Sequence, residues 1–247
     1  MADLSGLRAV PIVALDVPRV ADARRIVSML GDLCRFYKVG LELFTAEGPA
    51  VVRALRETGC EVFLDLKLHD IPNTVRGAVR SAARVGARLV TVHASGGRAM
   101  LEAAVEGAEE SADGGRCEVL AVSVLTSLGA EALAEAWGRG GEGSGGTALT
   151  SVEGEVLRLA TLARASGAHG LVCSGSEARA VRAAHGDALA LLVPGIRFAE
   201  GSTHDQARVV TPRAAVEAGA RYLVLGRAVT GARDPAAAMR AVLDEIA

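Results

Sequence analysis

The chain has 247 residues, a formal charge of −2, 50% hydrophobic and 23% charged residues, the balance of a globular protein with one large core. That charge argues against a general nucleic-acid binder, and no apolar run approaches the ~20 residues of a membrane-spanning helix. The first six residues (MADLSG) lack the charged and apolar regions of a secretory leader, and Cys34, Cys60, Cys117 and Cys173 are too widely spaced for a C-x-x-C motif. A cytoplasmic enzyme or binding protein with reduced, mostly buried thiols is the expectation.

In chain order, residues 10–16 form a short apolar strand ending in Asp16, followed by a helical pattern over 20–33. A second strand, 35–40, carries Lys38 near its end, with a helix over 48–58 behind it. Residues 63–75 (FLDLKLHDIPNTV) open as a third strand and pass through a proline into a helix over 73–85. A fourth strand, 88–93, ends in His93 and precedes an Ala-rich helix over 98–112. The fifth, 118–124, leads into Leu125, Thr126 and Ser127. A helix over 152–166, strands at 170–173, 189–193 and 221–226, and a last helix from Pro235 onward complete the pattern. Strands that read as continuous Val/Leu/Ile runs between helices predict a parallel sheet covered on both faces. Eight such units in about 250 residues favour a closed (β/α)8 TIM barrel, with 1–247 as a single domain. The Gly-rich stretch 138–146 neither follows a strand directly nor opens a helix. It is read as a surface excursion rather than a dinucleotide loop.

The third strand draws attention because Asp65, Lys67 and Asp70 fall within six residues. Alternation puts Asp65 and Lys67 on one face and Leu64 and Leu66 on the other. An arbitrary D-x-K is more often an ion pair closing a strand. The background shifts that balance: of 27 basic residues only Lys38 and Lys67 are lysines, the rest being Arg. Arg holds its proton under all working conditions, whereas Lys can donate one, so positions that stay Lys in an Arg-rich chain are candidates for proton transfer.

In a barrel of this kind, sites lie where the C-terminal strand ends meet. Asp16, Lys38, Asp65, Lys67, Thr126, Ser127, Arg197, Gly226 and Arg227 all fall there, whereas His93 is read as a satisfied structural group. Pro194-Gly-Ile-Arg197 and Gly226-Arg227 follow strands seven and eight, where barrels often hold phosphate. They supply glycines for close backbone approach and two guanidinium groups. Gln206, in the loop over 198–208, is placed to close over such a group. A phosphorylated small molecule is the inferred ligand class. The chain has no P-loop, H-E-x-x-H or G-x-S-x-G, and its remaining histidines lack metal-ligand spacing.

Residues 13–16 (VALD), 38–40 (KVG), 63–74 (FLDLKLHDIPNT), 125–127 (LTS), 194–197 (PGIR) and 226–227 (GR) closely resemble the bacterial orotidine 5′-phosphate decarboxylase family. The resemblance implies cofactor-free conversion of orotidine 5′-monophosphate to UMP and CO2 in a homodimer with sites at the interface. It implies that Lys67 protonates C6, that Asp65 lies beside the substrate carboxylate, and that Lys38 completes an alternating Lys-Asp-Lys-Asp array and joins Asp16 at the ribose hydroxyls. Asp70, Ile71 and Thr74 then come from the partner subunit. Thr126 and Ser127 lie against the pyrimidine, and Pro194, Arg197, Gln206, Gly226 and Arg227 match the phosphate and lid positions. Two other readings stand beside it. Magnesium-dependent sugar-phosphate decarboxylases or synthases share the D-x-K-x-x-D block but carry an acid where this chain has Lys38. A catalytically silent nucleotide-binding barrel is the other.

Overall fold

Eight strands pair in sequence order in the computed structural model, which describes residues 6–110, 116–137, 151–198 and 210–247. They are β1 (Val10–Ala14), β2 (Phe36–Gly40), β3 (Glu61–Leu68), β4 (Leu89–His93), β5 (Glu118–Val122), β6 (Gly170–Val172), β7 (Ala190–Val193) and β8 (Tyr222–Leu225). Every pairing is parallel, and β8 closes on β1, giving the expected barrel.

Burial on both faces explains the near-continuous apolar strands. Ile12, Phe36, Phe63, Leu89, Leu120, Leu192 and Tyr222 pack together inside the barrel. Their neighbours Val13, Tyr37, Leu64, Val90, Val119 and Leu223 belong to the larger layer shared with the helices. At the N-terminal end the interior is closed by Glu118, only 8% exposed. It accepts from Arg88 Nη2 at 3.2 Å and from the Tyr222 hydroxyl at 3.3 Å, and pairs with Arg116 Nε at 3.2 Å. A buried carboxylate is tolerated there because its oxygens are paired.

The outer helices follow the 3.6-residue period. In α1 (Val20–Leu30), Ala23, Ile26 and Leu30 are buried. The helix expected over 48–58 is α3 (Ala50–Arg56), and a further short helix that was not expected, α2 (Leu41–Glu47), precedes it. Gly48 separates them at φ +61°, its N–H donated to the Phe44 carbonyl, with Pro49 next. The chain continues through α4 (Pro72–Arg84), α5 (Arg98–Glu109), α6 (Ala130–Trp137), α7 (Val152–Ala165), α8 (Gly175–His185), α9 (Pro212–Glu217), α10 (Arg227–Thr230) and α11 (Pro235–Ile246). The Gly-rich stretch 138–146 lies outside the described residues. Among the described residues, no helix is long and apolar enough to cross a membrane.

One strand departs from regularity in a way that bears on the site. β3 runs through Leu68, so Asp65 and Lys67 lie within it rather than beyond its end. Its register against β4 passes from Leu64↔Val90 to Leu68↔Val92, four residues on one strand against two on the other. Inside this bulge Lys67 has φ +48°, the single non-glycine with positive φ among the described residues. Bulges of this kind re-aim side chains next to active sites.

Candidate active site

A cavity of about 490 Å³ opens where the C-terminal strand ends converge. Its floor is apolar, made by Ala14, Phe63, Val172, Leu192 and Val224, and its walls carry Asp16, Lys38, Asp65, Lys67, Thr126, Ser127, Pro194, Gly195, Arg197, Gly226 and Arg227. Ten of these wall residues are ones the sequence singled out. Gln206 lies outside the described residues.

Along one wall the charges alternate. Lys38, 8% exposed, donates from Nζ to Asp16 Oδ1 at 2.7 Å and sits 3.8 Å from Asp65 Oδ2. Lys67 Nζ donates to Asp65 Oδ1 at 2.8 Å. The order Asp16, Lys38, Asp65, Lys67 places each charge next to its opposite, which offsets the cost of drawing them together at the mouth of an apolar barrel. Strand geometry makes this possible. Lys38 and Gly40 share a face of β2, Gly40 pairs with Asp65, and the absence of a side chain at Gly40 leaves room for the Lys38–Asp16 pair. The Asp65/Lys67 juxtaposition is the expected one, though Lys67 reaches it through a bulge rather than a regular pleat.

Asp70 does not join them. Its carboxylate accepts the Ile71 N–H at 2.6 Å, and Asp70, Ile71 and Thr74 are all exposed, Ile71 at 67%. None of the three lines the cavity of its own chain. The strand has ended at Leu68, and Pro72 at the first turn of α4 carries the chain away.

On the opposite wall, Gly195 adopts φ +76° and Arg197 is buried at the cavity edge, its Nη1 donating to the Ile196 carbonyl at 2.8 Å. A bridge from Ile196 to Val210 ties this loop down, and Gly226 leads directly into α10. The side facing the charge array is therefore cationic and backbone-rich, suited to a small anion.

His93 is half-buried, its ring centroid 5.5 Å from that of His69, and it does not line the cavity. Burial holds its pKa below the ordinary histidine value, with His69 and Lys67 adding to the effect. Thr91 was not anticipated. Its hydroxyl donates to Asp65 Oδ1 at 3.0 Å and accepts the Lys67 N–H at 2.9 Å. A period-two reading of β4 backward from His93 would have put it on the same face.

Barrel and cavity together define a (β/α)8-barrel enzyme with a polar reaction chamber at its C-terminal mouth. Residues 10–242 match the family model described as orotidine 5′-phosphate decarboxylase / HUMPS family, and the chain belongs to that family. It is 53% identical over 229 residues to an orotidine 5′-phosphate decarboxylase of Anaeromyxobacter sp. (strain K), covering 93% of this chain and 94% of that one. Against the enzyme of the same name from Moorella thermoacetica it is 47% identical over 238 residues, covering 95% and 91%. The crystal structure of orotidine 5′-phosphate decarboxylase from Lactobacillus acidophilus superposes with a TM-score of 0.83 at 36% identity, over 96% of this chain and 99% of that one.

Proposed function

We propose that this protein converts orotidine 5′-monophosphate to UMP and CO2 without a cofactor, Lys67 delivering the proton that replaces the carboxylate at C6. The observation that carries this reading is the alternating array of Asp16, Lys38, Asp65 and Lys67 on the wall of a cavity whose other wall is cationic. As CO2 departs, the electron pair of the broken bond stays on C6. An ammonium already held in place stabilises that charge without reorganising and then quenches it by proton transfer. Arg at position 67 would supply the charge but not the proton. The remaining roles are those that the family resemblance implies, and every residue concerned except Gln206, which lies outside the described residues, lines the cavity. Arg197, Gly226 and Arg227, with Gln206, take the phosphate beside Pro194, Thr126 and Ser127 lie against the pyrimidine, and Asp16 and Lys38 hold the ribose hydroxyls. Binding the phosphate far from the reacting carbon contributes energy used at the transition state.

The same reading assigns Asp70, Ile71 and Thr74 to the site of a second copy of the chain. Its support is that these three stand exposed beside the mouth while lining nothing of their own cavity. A magnesium-dependent sugar-phosphate reaction fits less well, because the Lys38 ammonium stands where a divalent cation would be repelled.

The test is spectrophotometric. Purified protein given orotidine 5′-monophosphate should deplete the orotate absorbance, with or without EDTA, and Lys67→Ala should abolish the change while keeping the wild-type melting curve. No depletion by the wild-type protein, or near-normal turnover by Lys67→Ala, would overturn the proposal.

A further inference from the structure

Thr91 occupies the middle of β4, in the run Leu89-Val-Thr-Val-His93, and is fully buried. A hydroxyl is a costly choice there unless its donor and acceptor capacities are both used, and Val would fill the same volume. Both capacities are used, and both point at the reacting pair. The proton goes to Asp65 Oδ1 at 3.0 Å, the oxygen that also receives Lys67 Nζ, and the lone pair takes the Lys67 N–H at 2.9 Å.

The second bond falls where β3 is irregular. The Lys67 backbone is left-handed at φ +48°, a conformation disfavoured for any residue with a β-carbon. The surrounding structure has to hold it, and at the Lys67 N–H the holding group is a side chain of the neighbouring strand. We infer that Thr91 is a positioning residue for the decarboxylation: one hydroxyl fixes the Lys67 backbone and the Asp65 carboxylate relative to each other, so that the ammonium enters the cavity in a single orientation. Thr91 does not line the cavity and acts only through its two partners. The inference rests on the function proposed above.

The experiment compares wild type, Thr91→Val and Thr91→Ser for kcat, KM, UMP binding and melting temperature. Thr91→Val should lose about ten- to a hundredfold in kcat, as expected when a bond to a charged group is lost and a reacting group drifts. Its KM and UMP affinity should stay within about twofold, because the phosphate and ribose contacts are untouched. Thr91→Ser, which keeps the hydroxyl and drops only the methyl group, should recover most of kcat. A purely structural role would lower melting temperature and leave kcat per folded site unchanged. Wild-type kcat in Thr91→Val, or a Ser variant as impaired as Val, overturns the inference. If Thr91→Val does not fold, the Ser variant still decides, since a large kcat loss with the hydroxyl retained is incompatible with the assignment. Absence of turnover in the wild type would instead strike the proposed function.

Discussion

Gly40 closes β2 beside the charge array, and a β-carbon built there would lie 3.0 Å from Lys38 Nζ and 3.2 Å from Asp16 Oδ1. Both neighbours are the far ends of side chains, so an added methyl group would displace the ammonium rather than break the strand. The backbone is extended, with φ −92°, so alanine meets no conformational penalty. Gly40→Ala should therefore leave the melting temperature nearly unchanged while kcat/KM drops about tenfold or more, since misplacing a catalytic group by a fraction of an ångström is expensive. Steady-state kinetics beside a thermal melt separates the two, and unchanged kinetics would show that the array tolerates the shift. At this scale the sequence was readable where chemistry is rare and mute where it is common. Lys38 and Lys67 stand out from a chain that otherwise uses Arg. Gly40 and Thr91 carry no such mark, because what they do depends on which residue the adjacent strand brings opposite them.

Among the elements, β3, α4 and α5 form the unit that decides where the charged block points. Asp65 and Lys67 stay on the strand and Asp70 leaves with the turn into α4, a division the spacing alone did not show, since it depends on β3 persisting to Leu68. Helix α4 in turn leans on α5, where Arg76 Nε donates to Glu110 Oε1 at 2.7 Å and Arg80 Nη1 to Glu110 Oε2 at 2.9 Å. Their backbones meet at Gly107, where a β-carbon would stand 2.4 Å from the Arg76 carbonyl oxygen. Alanine is favoured over glycine in a helix by about 1 kcal/mol, but overpacking against backbone that cannot rotate away costs about 1–3 kcal/mol, and at this separation the upper end applies. Gly107→Ala should thus lower stability by about 1–2 kcal/mol net, read as a fall of roughly 2–8 °C in melting temperature. A rise would mean that α4 and α5 separate at no cost. Strand positions were readable because double burial writes them as apolar runs. The short helix α2 was missed because it starts at Leu41 directly after β2 ends at Gly40, with no intervening loop to mark its start.

Across the whole molecule the two ends of the barrel have different tasks. The N-terminal end is sealed by Glu118 among Arg88, Arg116 and Tyr222, a cluster that satisfies itself. The C-terminal end holds charges that satisfy one another only in part and leaves Asp70, Ile71 and Thr74 exposed at its edge. That asymmetry matches the known division of such barrels into a stabilising face and a reacting face. It also gives the proposed two-chain site a direct test. If each cavity takes Lys67 from its own chain and Asp70 from the partner, Lys67→Ala and Asp70→Ala each disable every site in their homodimers. In a mixed dimer one cavity then combines both defects, and the other combines an intact Lys67 with an intact Asp70. Random exchange of equal amounts should restore at most about a quarter of the wild-type sites. The measurement is orotate depletion before and after the two inactive variants are unfolded together and refolded, with a tagged subunit to verify that mixed dimers form. Activity that stays at the background of the separate variants, despite proven exchange, would place Asp70 outside its neighbour's chemistry.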